Sequence, residues 1–475
     1  MEVDQKPVSN ESSSKILFLF VGPLAACVLG IVLVGFGSSS AICWTAAVTL
    51  LCAVWWFSEP IPIAATSLLP LAVFPLCGVL SFEQVAQSYG NKLILLMLGG
   101  FMLSAAMERS GAHRRIALYM VNICGGSSGR RLVFGFMLAS ALLSMWISNA
   151  ATTLMLLPIA LAVVAQTNNR ELQVSLLLGI AYAASIGGIG TPIGTPPNLV
   201  FMEVYSINTG VEPGFLDWMG WSLPVVAIML PIAGLWLTWR IGKIEPISLP
   251  DVGRWRKAEV RTLVVFAITA LFWITRNQPF GGWSSWSGLK GANDASVALL
   301  GAVALFVIPN GDPDKAAERL LDWRTAARLP WGVLILFAGG ICIATAFLES
   351  GLSKTLGGAL VEFGQLPPLL LIGLICLSVT FLTEITSNTA TANLLLPILA
   401  AAAIAADHDP KIWMIPATLS ASFAFMLPVA TPPNAIVFGS DKLTVREMAR
   451  EGLALNLVGV IVVTLYCYTM FGGKA

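Results

Sequence analysis

Apolar residues run with few interruptions from Ile16 to Phe471, in stretches separated by short polar segments. A bilayer core of ~30 Å needs about 20 such residues per helix. The pattern predicts spanning helices over 16–37, 41–58, 60–80, 92–108, 174–205, 218–240, 260–275, 293–309, 331–349, 411–437 and 452–471, about eleven in all. Two further pairs of shorter apolar segments, 131–147 with 151–165 and 366–382 with 390–406, are each broken at a polar Ser-Asn turn. Halves of that kind predict re-entrant hairpins that enter and leave on one face, with irregular backbone only where it lines a cavity. The fold expected is an all-α polytopic membrane protein.

The chain also repeats itself. SNAATTLMLLPIALA from Ser148 matches SNTATANLLLPILAA from Ser387, GTPPNLVF from Gly194 matches ATPPNAIVF from Ala430, and Gly99 in LGGFMLSAAMERSG matches Gly339 in AGGICIATAFLESG, all at offsets of 236 to 240 residues. One spacing shared by three blocks is the mark of a duplicated unit. The predicted organisation is a polar tail over 1–15, a first helix over 16–37, and two repeats. The first, 41–240, holds the hairpin 131–165 and a broken helix 174–205; the second, 260–471, holds the hairpin 366–406 and a broken helix 411–437. Each copy counts five crossings, an odd number, so the copies are expected to lie upside down relative to each other, as in secondary transporters.

Charge fits this topology. With the N-terminus inside, 21 of the 27 Lys and Arg fall in segments predicted to be cytoplasmic, including Arg109, Arg114, Arg115, Arg170, Arg240, Arg256, Arg328 and Arg450. Lys92, Arg276, Lys290, Lys354, Lys411 and Lys474 fall outside them, and the C-terminus is expected outside. Only 11% of residues are charged, against about 25% in soluble domains, which excludes a water-soluble fold. A net charge of +1 gives no field to recruit nucleic acid. The eight cysteines form no CxxC or His-Cys cluster and read as small core hydrophobes. Tryptophans such as Trp55, Trp56, Trp218, Trp221, Trp236 and Trp239 sit near predicted span ends, where interface anchoring is expected. Residues 16–35 make too long an apolar run for a cleaved leader; a bacterial inner membrane is the expected location.

The chemistry concentrates at four interruptions: Ser148-Asn149 and Ser387-Asn388 at the hairpin tips, and Thr195-Pro196-Pro197-Asn198 and Thr431-Pro432-Pro433-Asn434 inside long helices. Proline removes a backbone donor and frees a carbonyl one turn earlier. Freed carbonyls with hydroxyl and amide oxygens make a neutral cage for a hard monovalent cation, and half-helix N-termini offer N–H groups to an anion. A single Pro kink is usually packing and a single Ser-Asn an interhelical bond; two matched copies of both point to a site. No Lys, Arg or His lies in these regions, so a bound anion would draw its positive potential from a neighbouring cation. Glu384 and Glu59 are read as structural, and Glu384 has Met145 as its counterpart in the first repeat. An enzyme is not indicated: there is no HExxH, and neither Ser148 nor Ser387 has a His or Lys nearby in sequence to activate it. A passive channel fits two mirrored closed sites less well than alternating access does.

SNAATT, TEITSNTATAN, GTPPN and ATPPN, with SEPIPIAATSLLP, resemble the divalent anion/sodium symporter family of dicarboxylate, citrate and sulfate carriers, over nearly the whole chain from Ile16. The resemblance implies a homodimeric elevator transporter with sodium as coupling ion and C4 dicarboxylates such as succinate, malate or fumarate as substrate. Sodium-independent anion exchange and sodium-coupled sulfate or citrate transport are the alternatives it leaves. It implies a first sodium site at Ser144, Ser148, Asn149 and the backbone of Gly194, and a second at Thr383, Asn388 and the backbone carbonyls of Thr386 and Ala430. The substrate would meet Ser148, Asn149, Thr195, Ser387, Asn388, Thr389, Thr431 and Pro432. One position departs from the pattern: Ala150 stands where the family usually has Thr, whereas the second tip keeps Thr389.

Overall fold

The computed structural model describes residues 9–124, 128–242, 253–277, 281–289, 291–312 and 317–472. Residues 1–8 of the expected polar tail, with Lys6, and Lys243, Lys290, Lys315 and Lys474 lie outside the described residues. The chain opens with α1 (Ser9–Gly35), α2 (Ser40–Ser58), α3 (Ile63–Thr66), α4 (Leu68–Leu76) and α5 (Phe82–Tyr89). Next come α6 (Lys92–Ser110), α7 (Ala112–Cys124), the pair α8 (Gly129–Ser144) and α9 (Asn149–Val164), the pair α10 (Arg170–Gly188) and α11 (Pro196–Thr209), and α12 (Phe215–Thr238). α13 (Lys257–Ile274), α14 (Gly282–Trp286), α15 (Asp294–Val307) and α16 (Trp323–Ala326) lead into α17 (Trp331–Glu349) and α18 (Leu352–Gly364). The chain closes with α19 (Pro368–Thr383) and α20 (Asn388–Ala405), α21 (Lys411–Ser420) and α22 (Pro432–Phe438), and α23 (Val445–Phe471). The series α6 to α12 thus recurs, element for element, as α17 to α23.

Eight helices among the described residues are long and apolar enough to cross a bilayer. The predicted span 60–80 is instead two pieces, α3 and α4, joined at Ser67, whose hydroxyl donates to the Ile63 carbonyl at 2.8 Å and accepts the Trp56 indole N–H at 3.0 Å. The predicted spans 174–205 and 411–437 are each two helices with irregular backbone between them. Five short helices were not expected: α5, α7, α14, α16 and α18. α5 carries a Ser81/Gln84 capping box. α7 and α18 are amphipathic; α7 buries Ala112, Arg115, Ala117, Leu118 and Val121 while Arg114, Tyr119 and Ile123 stay exposed. They lie against the hairpins, α7 on α8 and α18 on α20. The structure also corrects the reading of the tryptophans: Trp56 and Trp218 are buried, each with its N–H bonded inside the protein.

The ion pairs fall into two sets. Arg109 meets Asp322 at 2.7 Å and Glu318 at 3.4 Å, Arg170 meets Glu447, and Arg240 and Arg450 both meet Glu451. Every partner in this set comes from a segment predicted to be on the arginine-rich face. Lys92 with Glu212, Arg276 with Asp294 and Lys411 with Asp409 form the other set, and among the described residues no pair joins the two. Arg115 grips Glu259 through Nε and Nη2 at 2.7 and 3.1 Å, donates to the Gly253 carbonyl at 3.0 Å and packs on Trp255. Removing one member of a buried pair strands the other. Arg115→Met is therefore expected to cost about 3 kcal/mol, with Arg256 still holding Glu259, and to lower the thermal unfolding midpoint in detergent by several degrees.

Candidate functional site

Each hairpin turns where one helix ends and the next is capped. α8 stops at Ser144, and Ser148 caps α9 by accepting the Ala151 N–H at 3.2 Å. In the second hairpin α19 stops at Thr383 and Ser387 caps α20 with its hydroxyl free of any cap bond. The broken helices restart at Thr195 and Thr431, each followed by two prolines. Proline suits the first helical positions, where the missing N–H has no partner to lose.

The two tips share one geometry. Ser144 Oγ lies 2.5 Å from Asn149 Oδ1 and 2.7 Å from the Ala184 carbonyl oxygen. Thr383 Oγ1 lies 2.7 Å from Asn388 Oδ1 and 2.9 Å from the Ala421 carbonyl oxygen. In both cases a hydroxyl with a single proton faces two acceptor oxygens. The donor set of each cluster is one hydroxyl, one amide oxygen and one carbonyl on an interrupted helix, all neutral, which fits a hard monovalent cation. Close approach of the backbone depends on glycine in the first copy. A Cβ on Gly194 would come within 2.4 Å of the Gly188 carbonyl oxygen, and one on Gly188 within 2.6 Å of Asn149 Oδ1. The second copy has Ala430 and Ala424 at the matching positions.

Asn198 and Asn434, recognised in the motifs but given no role by sequence, turn out to fasten the breaks. Asn198 Nδ2 donates to the carbonyls of Thr191 at 2.7 Å and Gly188 at 3.1 Å; Asn434 Nδ2 donates to those of Leu427 at 3.0 Å and Ala424 at 3.2 Å. Trp218 adds an indole bond to the Ile189 carbonyl at 2.8 Å. Glu384 accepts the N–H groups of Met426 and Leu427 at 2.8 and 2.9 Å and the Asn456 amide at 2.7 Å. It therefore braces the second helix break, where a hairpin-backbone contact was expected. Its counterpart Met145 offers its carbonyl to the Thr191 hydroxyl instead. Glu59 ends α2 in a left-handed turn, exposed, with its N–H on the Trp55 carbonyl.

The elements that carry the four interruptions pack across the repeats, α9 on α22 and α20 on α11. Ser144, Gly194, Thr195, Thr383, Thr386, Ala430 and Thr431 are buried; Asn149, Ala150, Ser387, Asn388 and Thr389 are half-buried; Ser148 and Pro432 are exposed. The Thr386 hydroxyl turns to Thr391 at 2.6 Å, away from the tip's amide. Ser148 and Ala150 open onto a cavity of about 880 Å³.

An all-helical, multi-pass membrane protein with paired helix breaks around a neutral polar centre is the architecture of a membrane transporter. The chain belongs to the family described as the sodium:sulfate symporter transmembrane region, whose model matches residues 15–472. It is 40% identical over 444 residues to the sodium-dependent dicarboxylate transporter SdcS of Staphylococcus saprophyticus, covering 89% of this chain and 85% of that one. SdcS of Staphylococcus aureus strain USA300 matches at the same identity and covers 84% of its own length. Among solved structures, the fold resembles the YdaH transporter of Alcanivorax borkumensis, with a TM-score of 0.59 at 14% identity over 90% of this chain and 98% of that one.

Proposed function

We propose that this protein carries C4 dicarboxylates such as succinate into the cell together with sodium. The observation that carries the reading is the duplicated oxygen cluster: Ser144, Asn149 and Ala184 in one repeat, Thr383, Asn388 and Ala421 in the other. The names of the curated relatives support both the coupling ion and the substrate class. In this reading sodium enters each cluster, joined by the Ser148 hydroxyl and the Gly194 backbone in the first and by the Thr386 and Ala430 carbonyls in the second. The substrate carboxylates meet Ser148, Asn149, Thr195, Ser387, Asn388, Thr389, Thr431 and Pro432, and sodium beside them supplies the positive charge that the side chains lack. Dicarboxylate affinity then depends on sodium, and sodium affinity on dicarboxylate, by the same factor.

The repeats are inverted in this reading, the first hairpin opening on the arginine-rich face, where Arg130 donates to the Trp239 carbonyl and Arg170 pairs with Glu447. The second opens opposite, where Lys411 pairs with Asp409. A homodimer whose transport domain moves as an elevator, with the N-terminus and arginine-rich face cytoplasmic, completes the proposal. Sulfate is a second reading, favoured by Ala150, which leaves the first tip one hydroxyl short of the second. Purified protein in proteoliposomes is expected to accumulate radiolabelled succinate under an inward sodium gradient and to lose that uptake when choline replaces sodium. Uptake indifferent to sodium would overturn the coupling; sulfate accumulation without succinate would move the substrate to the second reading.

A further inference from the structure

The cavity of about 880 Å³ that begins at Ser148 and Ala150 does not end there: its other walls include Glu108, Arg109, Arg114 and Arg328. Arg109 is held by Asp322 and Glu318. Arg114, on α7, and Arg328, in the turn between α16 and α17, are exposed and pair with no carboxylate among the described residues. Asp322 and Glu318 do not line the cavity, whose own walls carry three guanidinium groups, two of them free, against the single carboxylate of Glu108, so its lining is positive. Its volume lies at the upper end of the ~300–1,000 Å³ typical of small-molecule sites, so a C4 dianion fits with part of its hydration shell.

We infer that this cavity is a staging site for the dicarboxylate on the arginine-rich face, with Arg114 and Arg328 as its anion-attracting groups. The inference rests on the transport reading above. The hairpin tips hold an anion without any side-chain cation, so a dianion whose sodium has left loses its main source of positive potential. The free positive charges that line the same cavity are then Arg114 and Arg328, and walls of low dielectric focus their field along it. Charges at that remove attract without trapping: in a water-filled space, screened by salt, each is worth about threefold in local anion affinity. Placed at the tips themselves, they would hold the substrate after sodium had gone. The staging site thus favours release on this face, and it favours capture from this face when the carrier runs in reverse.

The test is sidedness. Half-saturation for succinate is measured in inside-out and right-side-out membrane vesicles for the wild type, the double variant Arg114→Gln/Arg328→Gln, the double variant Arg114→Lys/Arg328→Lys, and Glu108→Gln. The Gln double variant is expected to raise half-saturation roughly tenfold in inside-out vesicles and to leave it unchanged in right-side-out vesicles. The Lys double variant should stay near wild type, and Glu108→Gln should shift in the opposite direction. Should the Gln variant fail to fold, the wild type alone decides: raised ionic strength should weaken succinate capture in inside-out vesicles only. Equal values in both orientations, or no response to charge or salt, would overturn the staging site while sodium-driven uptake stands. Absence of sodium-dependent uptake by the wild type in both orientations would instead overturn the transport reading.

Discussion

Asn388→Ala is expected to raise the sodium concentration for half-maximal succinate uptake by roughly ten- to a hundredfold, and Asn149→Ala to do the same independently. Each asparagine gives its cluster the one side-chain amide oxygen it has, 2.7 Å from Thr383 Oγ1 and 2.5 Å from Ser144 Oγ. An interaction of a polar oxygen with a full charge contributes about 1.5–3 kcal/mol, which sets that range. The change reaches the substrate as well. Because binding of the two solutes is linked, half-saturation for succinate at a fixed, limiting sodium concentration should rise in both variants, and excess sodium should recover most of it. Uptake measured across a matrix of sodium and succinate concentrations checks both parts. A variant whose succinate affinity falls while its sodium dependence is unmoved would mean that the asparagine serves the anion alone. Asp substitutions sharpen the contrast: a carboxylate at position 388 keeps an oxygen for the cation but repels a dianion, so sodium dependence should survive while succinate half-saturation rises steeply.

Much of this arrangement is legible in the sequence because it occurs twice. A Ser-Asn turn within apolar chain or a Pro-Pro-Asn break says little alone, but matched spacing singles out both Ser-Asn turns and both Pro-Pro-Asn breaks, and the elements that carry them pack across the repeats, α9 on α22 and α20 on α11. The amphipathic α7 and α18 escaped because their apolar residues recur at helical spacing around Arg114, Arg115 and Lys354 and never form a continuous run. The Ser81-x-x-Gln84 signature that starts α5 was present but lies in a segment too polar to register as a span. The break at Ser67 is written in tertiary structure, since the hydroxyl that holds it is bonded to Trp56 on another helix. The same is true of the oxygen clusters. Ser144 and Asn149 can be read from the motif, whereas the Ala184 and Ala421 carbonyls carry no side-chain signal and become available only through the packing of α10 and α21 against the hairpins.

Glu384 is where the two repeats part company, and its substitution separates a structural acid from a coupling one. The carboxylate is 3% exposed, and its two oxygens accept three N–H groups, from Met426, Leu427 and Asn456. Two of those donors belong to the segment that leads into Ala430 and Thr431, so the acid fixes the loop on which the second half of the candidate site is built. Glu384→Ala would leave three buried donors unpaired at about 1–3 kcal/mol each, and the protein is expected to lose most of its folded yield. Glu384→Gln keeps the shape but replaces one acceptor oxygen with a donor that faces an N–H. It should fold with a lower thermal midpoint, at a cost of about 2–3 kcal/mol, and should bind sodium more weakly through the disordered loop. A proton-coupling carboxylate predicts a different outcome. The Gln variant would then keep its thermal midpoint while the pH dependence of uptake disappeared, because a group that titrates during the cycle would have been removed without disturbing the loop. Thermal unfolding in detergent beside the pH profile of uptake discriminates between the two. The expected result is an unchanged pH profile on a destabilised protein, since the first repeat fastens its own break with an uncharged Thr191 hydroxyl on the Met145 carbonyl.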